Sequence, residues 1–129
     1  MNSETLRRAA GKAGKMLTSL KANNIGFAVT SNLQKTSKTD VGQVLVEGLT
    51  LGSYKFTRYK ESHDEKSKLE SIKIQCCDPE NITSRKALKT GKMRADGTNL
   101  ARNLGNTPAN DLKPKDLASA AENLSLIHI

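Results

Sequence analysis

Residues 25–30 read Ile-Gly-Phe-Ala-Val-Thr, a short apolar run with Asn23 and Asn24 before it and a polar stretch from Ser31 to Thr39 after it. An apolar run of this length between turn residues is the signal of a buried strand. On its N-terminal side, apolar residues fall at Leu6, Ala9, Ala10, Ala13, Met16, Leu17 and Leu20. That is the three-and-four spacing of one helical stripe, and it predicts a first helix from Ser3 to about Ala22. On the C-terminal side, Asp40 with Gln43 three residues on offers a capping box. Behind it, Val41, Val44, Leu45, Leu49, Phe56 and Tyr59 make the apolar face of a second helix running to about Tyr59. Ser71–Cys77 then alternates, with Ile72, Ile74 and Cys76 on one side and Lys73 and Gln75 on the other, so a second, half-exposed strand is predicted. Asp78-Pro79-Glu80-Asn81 is a turn, and Thr83 or Ser84 can cap a third helix that carries on to about Leu104. Strand, helix, strand, helix in this order implies parallel strands with right-handed crossovers, hence an α/β layer architecture.

Composition narrows the classes. The 129 residues carry 21 Lys and Arg against 13 Asp and Glu, a formal charge of +8. Hydrophobic residues make up only 36% and aromatics 3%, a thin core for one domain of this length. No apolar run approaches the roughly 20 residues that span a bilayer, and none reads as a secretory leader. The recurrence of apolar residues in periodic blocks argues against full disorder. Cys76 and Cys77 are adjacent, where a disulfide would strain the intervening peptide bond, so they read as free thiols in a reducing compartment. His63, in a mixed-charge loop over residues 60–69, and His128 lie far apart and at no metal-ligand spacing.

Two local features admit a functional reading. The first helix carries Arg7, Arg8, Lys12 and Lys15 on its polar face, the pattern of a mitochondrial presequence or a membrane-surface helix. Its apolar face is mostly Ala, which inserts weakly into lipid and suits close packing in a core. The second helix contains Gly42, Gly48 and Gly52, each costing about 1 kcal/mol relative to Ala. Close approach of a neighbouring element explains them better than phosphate binding, since they lie within the helix and not in a loop before it.

From Asn99 the chain reads Asn-Leu-Ala-Arg-Asn-Leu-Gly-Asn-Thr-Pro-Ala-Asn-Asp-Leu-Lys-Pro-Lys-Asp-Leu-Ala. Gly105 can end the third helix in a left-handed conformation, Thr107-Pro108 forces an extended residue before a turn, and Pro114 can open a new helix. This is a hinge-like junction.

The same residues carry a resemblance. Asn99-Leu-Ala-Arg102, then Asn106-Thr-Pro-Ala-Asn110, then Leu112-x-Pro-x-x-Leu-Ala118 resembles the interdomain passage of the leucyl (cytosol) aminopeptidase family. Glu47-Gly-Leu-x-Leu-Gly-Ser-Tyr-Lys-Phe-x-x-Tyr-Lys60 is similar to the family's helix late in its N-terminal domain, and Glu4-Thr-Leu-Arg-Arg-Ala-Ala-Gly-Lys12 resembles the helix before it. Three matches in order cover the chain to about Asn123. Gly97 and Gly105 stand where better helix formers are usual, and Lys113 replaces the Ser or Thr expected to cap the helix at Pro114.

The resemblance implies an α/β fold in pieces. Residues 1–81 would be a partial N-terminal macro-like domain, mainly parallel strands with helices on both faces. Residues 82–105 would be an interdomain helix, and residues 106–123 the start of a catalytic domain. It further implies a cytoplasmic enzyme, hexameric by family resemblance, that removes N-terminal residues from peptides with two divalent metal ions, Mn or Zn. In the family those ions are held by a Lys, several Asp and a Glu of the catalytic domain. The Asn-Thr-Asp-Ala-Glu-Gly-Arg signature is absent here, so no catalytic, cofactor-binding or metal-binding residue is carried over. Leu124-Ser-Leu-Ile-His-Ile129 breaks the preceding amphipathic pattern and equals a translation of CTG TCT CTT ATA CAC ATC, an end used in transposon-based sequencing libraries. Residues 124–129 are therefore expected to be an adapter scar on a reading frame truncated at both ends. The alternative function is a free-standing basic module for nucleic acid or an acidic surface. Against it, no aromatics interleave with the basic residues, which are spread through every segment. Neither nucleic acid nor a membrane is an expected partner.

Overall fold

A computed structural model describes residues 2–21, 24–29, 40–59, 71–76 and 85–128. Asn2 opens the first helix, α1 (Ser3–Ser19), by accepting a hydrogen bond from the Thr5 amide at 2.8 Å, and Glu4 in the first turn suits the helix dipole. The helix closes earlier than its apolar stripe predicts. Leu20 and Lys21 donate back to the Met16 and Thr18 carbonyls, and Lys21 takes a left-handed φ of 55°. Lys21 thus makes the turn expected at Asn23–Asn24.

The strands β1 (Asn24–Val29) and β2 (Ser71–Cys76) pair in parallel, with Asn24 opposite Ser71 and Phe27 opposite Ile74. Parallel pairing agrees with the expected strand-helix-strand order. β1 is less covered than expected: Phe27 is half-buried against the helical core, but Gly26 and Ala28 are exposed. The described residues are mainly helical, with these two strands as their sheet.

The core is built around α2 (Val41–Gly52). α1 packs on one side of it and α3 (Arg85–Asn106) on another. Leu6 and Ala10 of α1 meet Val41, Val44, Leu45 and Leu49, with Ala13 and Phe27 packed against them. Val41, Val44 and Leu49 are fully buried, and each stabilises by about 1.5–3 kcal/mol. Helix α3 adds Ala87, Gly91 and Ala95.

Gly48 and Gly52 of α2 do what close approach requires. A Cβ on Gly48 would overlap the Arg7 carbonyl oxygen and lie 2.7 Å from the Ala10 Cβ, and one on Gly52 would overlap the Gly11 backbone. On the other flank, a Cβ on Gly91 would lie 2.6 Å from the Gln43 carbonyl oxygen. Missing side chains therefore let α1 and α3 approach α2 backbone to backbone.

Three boundaries differ from expectation. Helix α2 stops at Gly52, with the Ser53 amide closing onto the Leu49 carbonyl, so Phe56 and Tyr59 lie beyond it. Tyr59 is 45% exposed instead of sharing the buried face. The predicted capping box is half made: Asp40 accepts from the Gly42 amide at 2.9 Å, but the Gln43 side chain turns to Glu47. Helix α3 runs through Gly105 to Asn106 without a left-handed residue, because the stop is supplied by Thr107 ahead of Pro108. The caps proposed at Thr83 and Ser84, the loop over 60–69 with His63, and Cys77 lie outside the described residues.

Pro114 opens the last helix, α4 (Pro114–His128), as expected. Lys113 at the cap position has no side-chain acceptor. Asp116 makes the reciprocal half of a capping box, accepting from the Lys113 amide at 2.9 Å. Leu117 and Leu124 on this helix are 50% and 40% exposed.

Candidate functional site

Two polar clusters stand out against this packing. The first is centred on Glu47, the single charged residue of α2. Its side chain is only 7% exposed, and it is met by groups from all three packed helices. Arg7 Nε of α1 donates to Oε2 at 2.9 Å, Gln43 Nε2 of α2 donates to Oε1 at 2.9 Å, and Arg94 of α3 reaches Oε1 at 3.5 Å. Burial pushes the carboxyl upward, but hydrogen bonds from Gln43 and Arg7 and the charges of Arg7 and Arg94 outweigh it, leaving Glu47 below the ordinary carboxylate range. The hydrogen bond to Glu47 in turn raises Arg7. A carboxylate held this way is ionised and fully engaged. It is an interhelix tie and not a free general base.

The second cluster lies where α3 ends. The Tyr54 hydroxyl donates to Asn103 Oδ1 at 2.8 Å and accepts from Asn106 Nδ2 at 3.2 Å. Arg102 lies over the Tyr54 ring, 5.5 Å from its centroid, and donates to the Leu51 carbonyl at 3.1 Å. Asn99 Nδ2 donates to the Thr50 carbonyl at 3.4 Å. Further along, the Tyr59 hydroxyl donates to Asp111, which raises the phenol above its ordinary value. Residues 50–54 and 99–106, 49 to 52 residues apart in sequence, therefore meet in space.

A shallow cavity of about 330 Å³ opens beside this cluster, lined by Lys55, Phe56, Thr57, Arg58, Asn103 and Thr107. No carboxylate or imidazole lines it, so it contains no acid–base pair for hydrolysis.

Sequence reasoning assigned no catalytic or metal-binding residue to this chain, and the two polar clusters contain structural ties. Glu47, Tyr54, Asn99, Arg102 and Asn106 fall within the stretches that carry the family resemblance, which gives them no role, and Arg94 falls outside those stretches. One signal was available for Glu47: a lone carboxylate in an otherwise apolar and glycine-rich helix needs partners.

Among the described residues the donor set does not fit a pair of divalent metals. Glu4 is bridged by Arg7 and Arg8, Glu47 by Arg7 and Arg94, and Asp96 by Lys92. Asp40 and Asp116 cap helices. Among the described residues no three His, Cys, Asp or Glu gather where they could hold an ion. No helix among them is long and apolar enough to cross a membrane.

Residues 1–63 match the family model described as the cytosol aminopeptidase family, N-terminal domain. Curated relatives named "Probable cytosol aminopeptidase" match more of the chain. One from Roseiflexus castenholzii is 31% identical over 125 residues, 95% of this chain and 25% of its own length. One from Clostridium perfringens is 32% identical over 130 residues, 94% of this chain and 25% of its own length. One from Aquifex aeolicus is 32% identical over 123 residues, 95% of this chain and 23% of its own length. The chain thus spans about a quarter of the length of the relatives it matches.

Proposed function

Because this chain belongs to the cytosol aminopeptidase family, we propose that the whole protein is a leucyl-type metalloaminopeptidase, a hydrolase that removes N-terminal residues from peptides. The chain would supply a macro-like α/β N-terminal domain with helices on both faces (1–81), an interdomain helix (82–105) and the opening of the catalytic domain (106–123). The observation that carries this reading is the extent of the match: relatives align over 94–95% of the chain, well past the residue 63 limit of the N-terminal family model.

In the whole protein, two divalent ions, Mn or Zn, would supply Lewis-acid chemistry for the hydrolysis. The reading places their ligands in the catalytic domain; within this chain Glu4, Glu47 and Asp96 are paired with Arg or Lys, and Asp40 and Asp116 cap helices. No step of hydrolysis is assigned to residues of this chain. Its role is to fold against itself and present the catalytic domain. A cytoplasmic, hexameric assembly completes the reading.

A free-standing basic module is not favoured. Arg7, Arg8, Lys92 and Arg94 are each paired with Glu4, Glu47 or Asp96, and Arg102 is held by the Leu51 carbonyl and the Tyr54 ring. Sequencing the source gene tests the proposal. The expected result is a downstream cluster of Lys, Asp and Glu with the spacing of a two-metal site. A gene without that cluster overturns it.

A further inference from the structure

Helix α3 contains two mechanically different halves. Its buried residues, Ala87, Gly91 and Ala95, all lie in the first half, against α2. From Asp96 to Asn106 none of its residues is buried, a stretch of about 16 Å at the rise of an α-helix. Full burial therefore stops well before the helix does, with Leu100 and Leu104 only half-buried. Beside those two half-buried leucines, the directional contacts of the second half are polar: Asn99 on the Thr50 carbonyl, Arg102 on the Leu51 carbonyl and over Tyr54, and Asn103 and Asn106 on the Tyr54 hydroxyl.

Helix α4 depends on that half. It packs against none of the other described elements to the degree that α1, α2 and α3 pack together, and Leu117 and Leu124 stay exposed. Its direction is set through the turn that follows α3, where the Asp111 and Leu112 amides close onto the Pro108 carbonyl at 2.9 and 3.0 Å.

We propose that Tyr54 and Arg102 are positioning residues, pinning the second half of α3 to residues 50–54 so that the turn at 107–113 delivers α4 at one fixed angle. The inference rests on the proposed function, in which α4 begins the catalytic domain. The hydroxyl of Tyr54 is well suited to the task because it donates and accepts at once, to two side chains one turn apart on the same helix face. Arg102 adds a cation over the ring and a bond to backbone, which favour this one placement of the ring. Loss of the pin lets the unpacked half pivot about Ala95. A tilt of about 10° over about 16 Å displaces the helix end by about 3 Å, more than catalytic geometry tolerates.

The test uses the whole gene product carrying Tyr54→Phe, Arg102→Ala and Arg102→Lys, with amide hydrogen exchange over residues 99–113 and steady-state hydrolysis of leucine p-nitroanilide measured on each. Tyr54→Phe removes both hydrogen bonds and keeps the ring. It is expected to speed exchange at 103–113 at least several-fold while exchange across 41–49 is unchanged, and to lower kcat between about 3-fold and 100-fold with KM little altered. Arg102→Lys should recover part of what Arg102→Ala loses. Unchanged exchange at 103–113 in Tyr54→Phe overturns the pin. Faster exchange with unchanged kcat overturns its positioning role. A wild-type protein with no peptidase activity defeats the proposed function and the catalytic part of this inference together, while exchange still decides whether the pin exists.

Discussion

Replacing Gly48 by Ala sets two physical effects of opposite sign against each other. In a helix interior, Ala is favoured over Gly by about 1 kcal/mol. Read from the helix alone, Gly48→Ala should stabilise. In the fold, the new Cβ would lie 2.7 Å from the Ala10 Cβ and closer still to the Arg7 carbonyl oxygen. Carbon atoms in good contact sit about 3.5–4.0 Å apart, so α1 and α2 must separate by about 1 Å. Backbone cannot rotate out of the way as a side chain can, so the strain belongs at the upper end of the 1–3 kcal/mol usual for overpacking. Separation also loosens Leu6, Ala10, Leu45 and Leu49, the centre of the core. The expected net effect is destabilisation by about 2 kcal/mol or more. Urea unfolding followed by circular dichroism should show a lower midpoint with an unchanged slope. Gly97→Ala is the internal control: nothing lies within 4 Å of its added Cβ, so only the propensity gain of about 0.5–1 kcal/mol remains. If Gly48→Ala matched Gly97→Ala in sign, backbone-to-backbone packing of α1 on α2 would be refuted.

Glu47→Gln keeps the size of the side chain but removes the charge facing Arg7 and Arg94, and should cost about 1–3 kcal/mol at neutral pH. Because the Glu47 carboxyl is held below its ordinary value in the folded protein, its contribution is complete above about pH 4.5 and is lost as pH falls through the lower folded value. Stability measured against pH should therefore fall less steeply on the acid side in the variant; parallel acid limbs would contradict the assignment. Tyr59→Phe removes the hydrogen bond to Asp111, which exists only while the phenol is protonated. That contribution is present below about pH 10 and lost as pH rises through the raised folded value, so wild type but not Tyr59→Phe should show faster amide exchange at 107–113 on the alkaline side, after correction for intrinsic exchange. Lys113→Ser supplies the missing cap acceptor and should stabilise α4 by about 0.5–1 kcal/mol. Slower exchange at residues 115–118 is the readout, and unchanged exchange counts against the cap geometry.

What the sequence revealed and what it hid follow from the range of the interactions. The elements α1, α2, α3 and α4 and the parallel pairing of β1 with β2 were readable because each rests on local periodicity or on order along the chain. Gly48 and Gly52 of α2 were readable too, since their cost demanded a close neighbour, although nothing local named Arg7, Ala10 and Gly11 as that neighbour. The end of α2 was misplaced at Tyr59 because Phe56 and Tyr59 continue the apolar spacing, while the stop at Gly52–Ser53 is made by tertiary contact with α1. Gln43 was assigned to a capping box, a local role, and lost to Glu47, whose burial makes its need for donors greater. Gln43 apart, the partners of Glu47 and Tyr54 lie 40 to 52 residues away, beyond any local pattern.

The most direct test of the account is hydrolysis of leucine p-nitroanilide by the purified whole gene product, before and after chelation and with Mn or Zn restored. Activity that disappears with the chelator and returns with the metal is the predicted result. A pure, folded protein that cleaves no aminoacyl substrate with either metal present would contradict it.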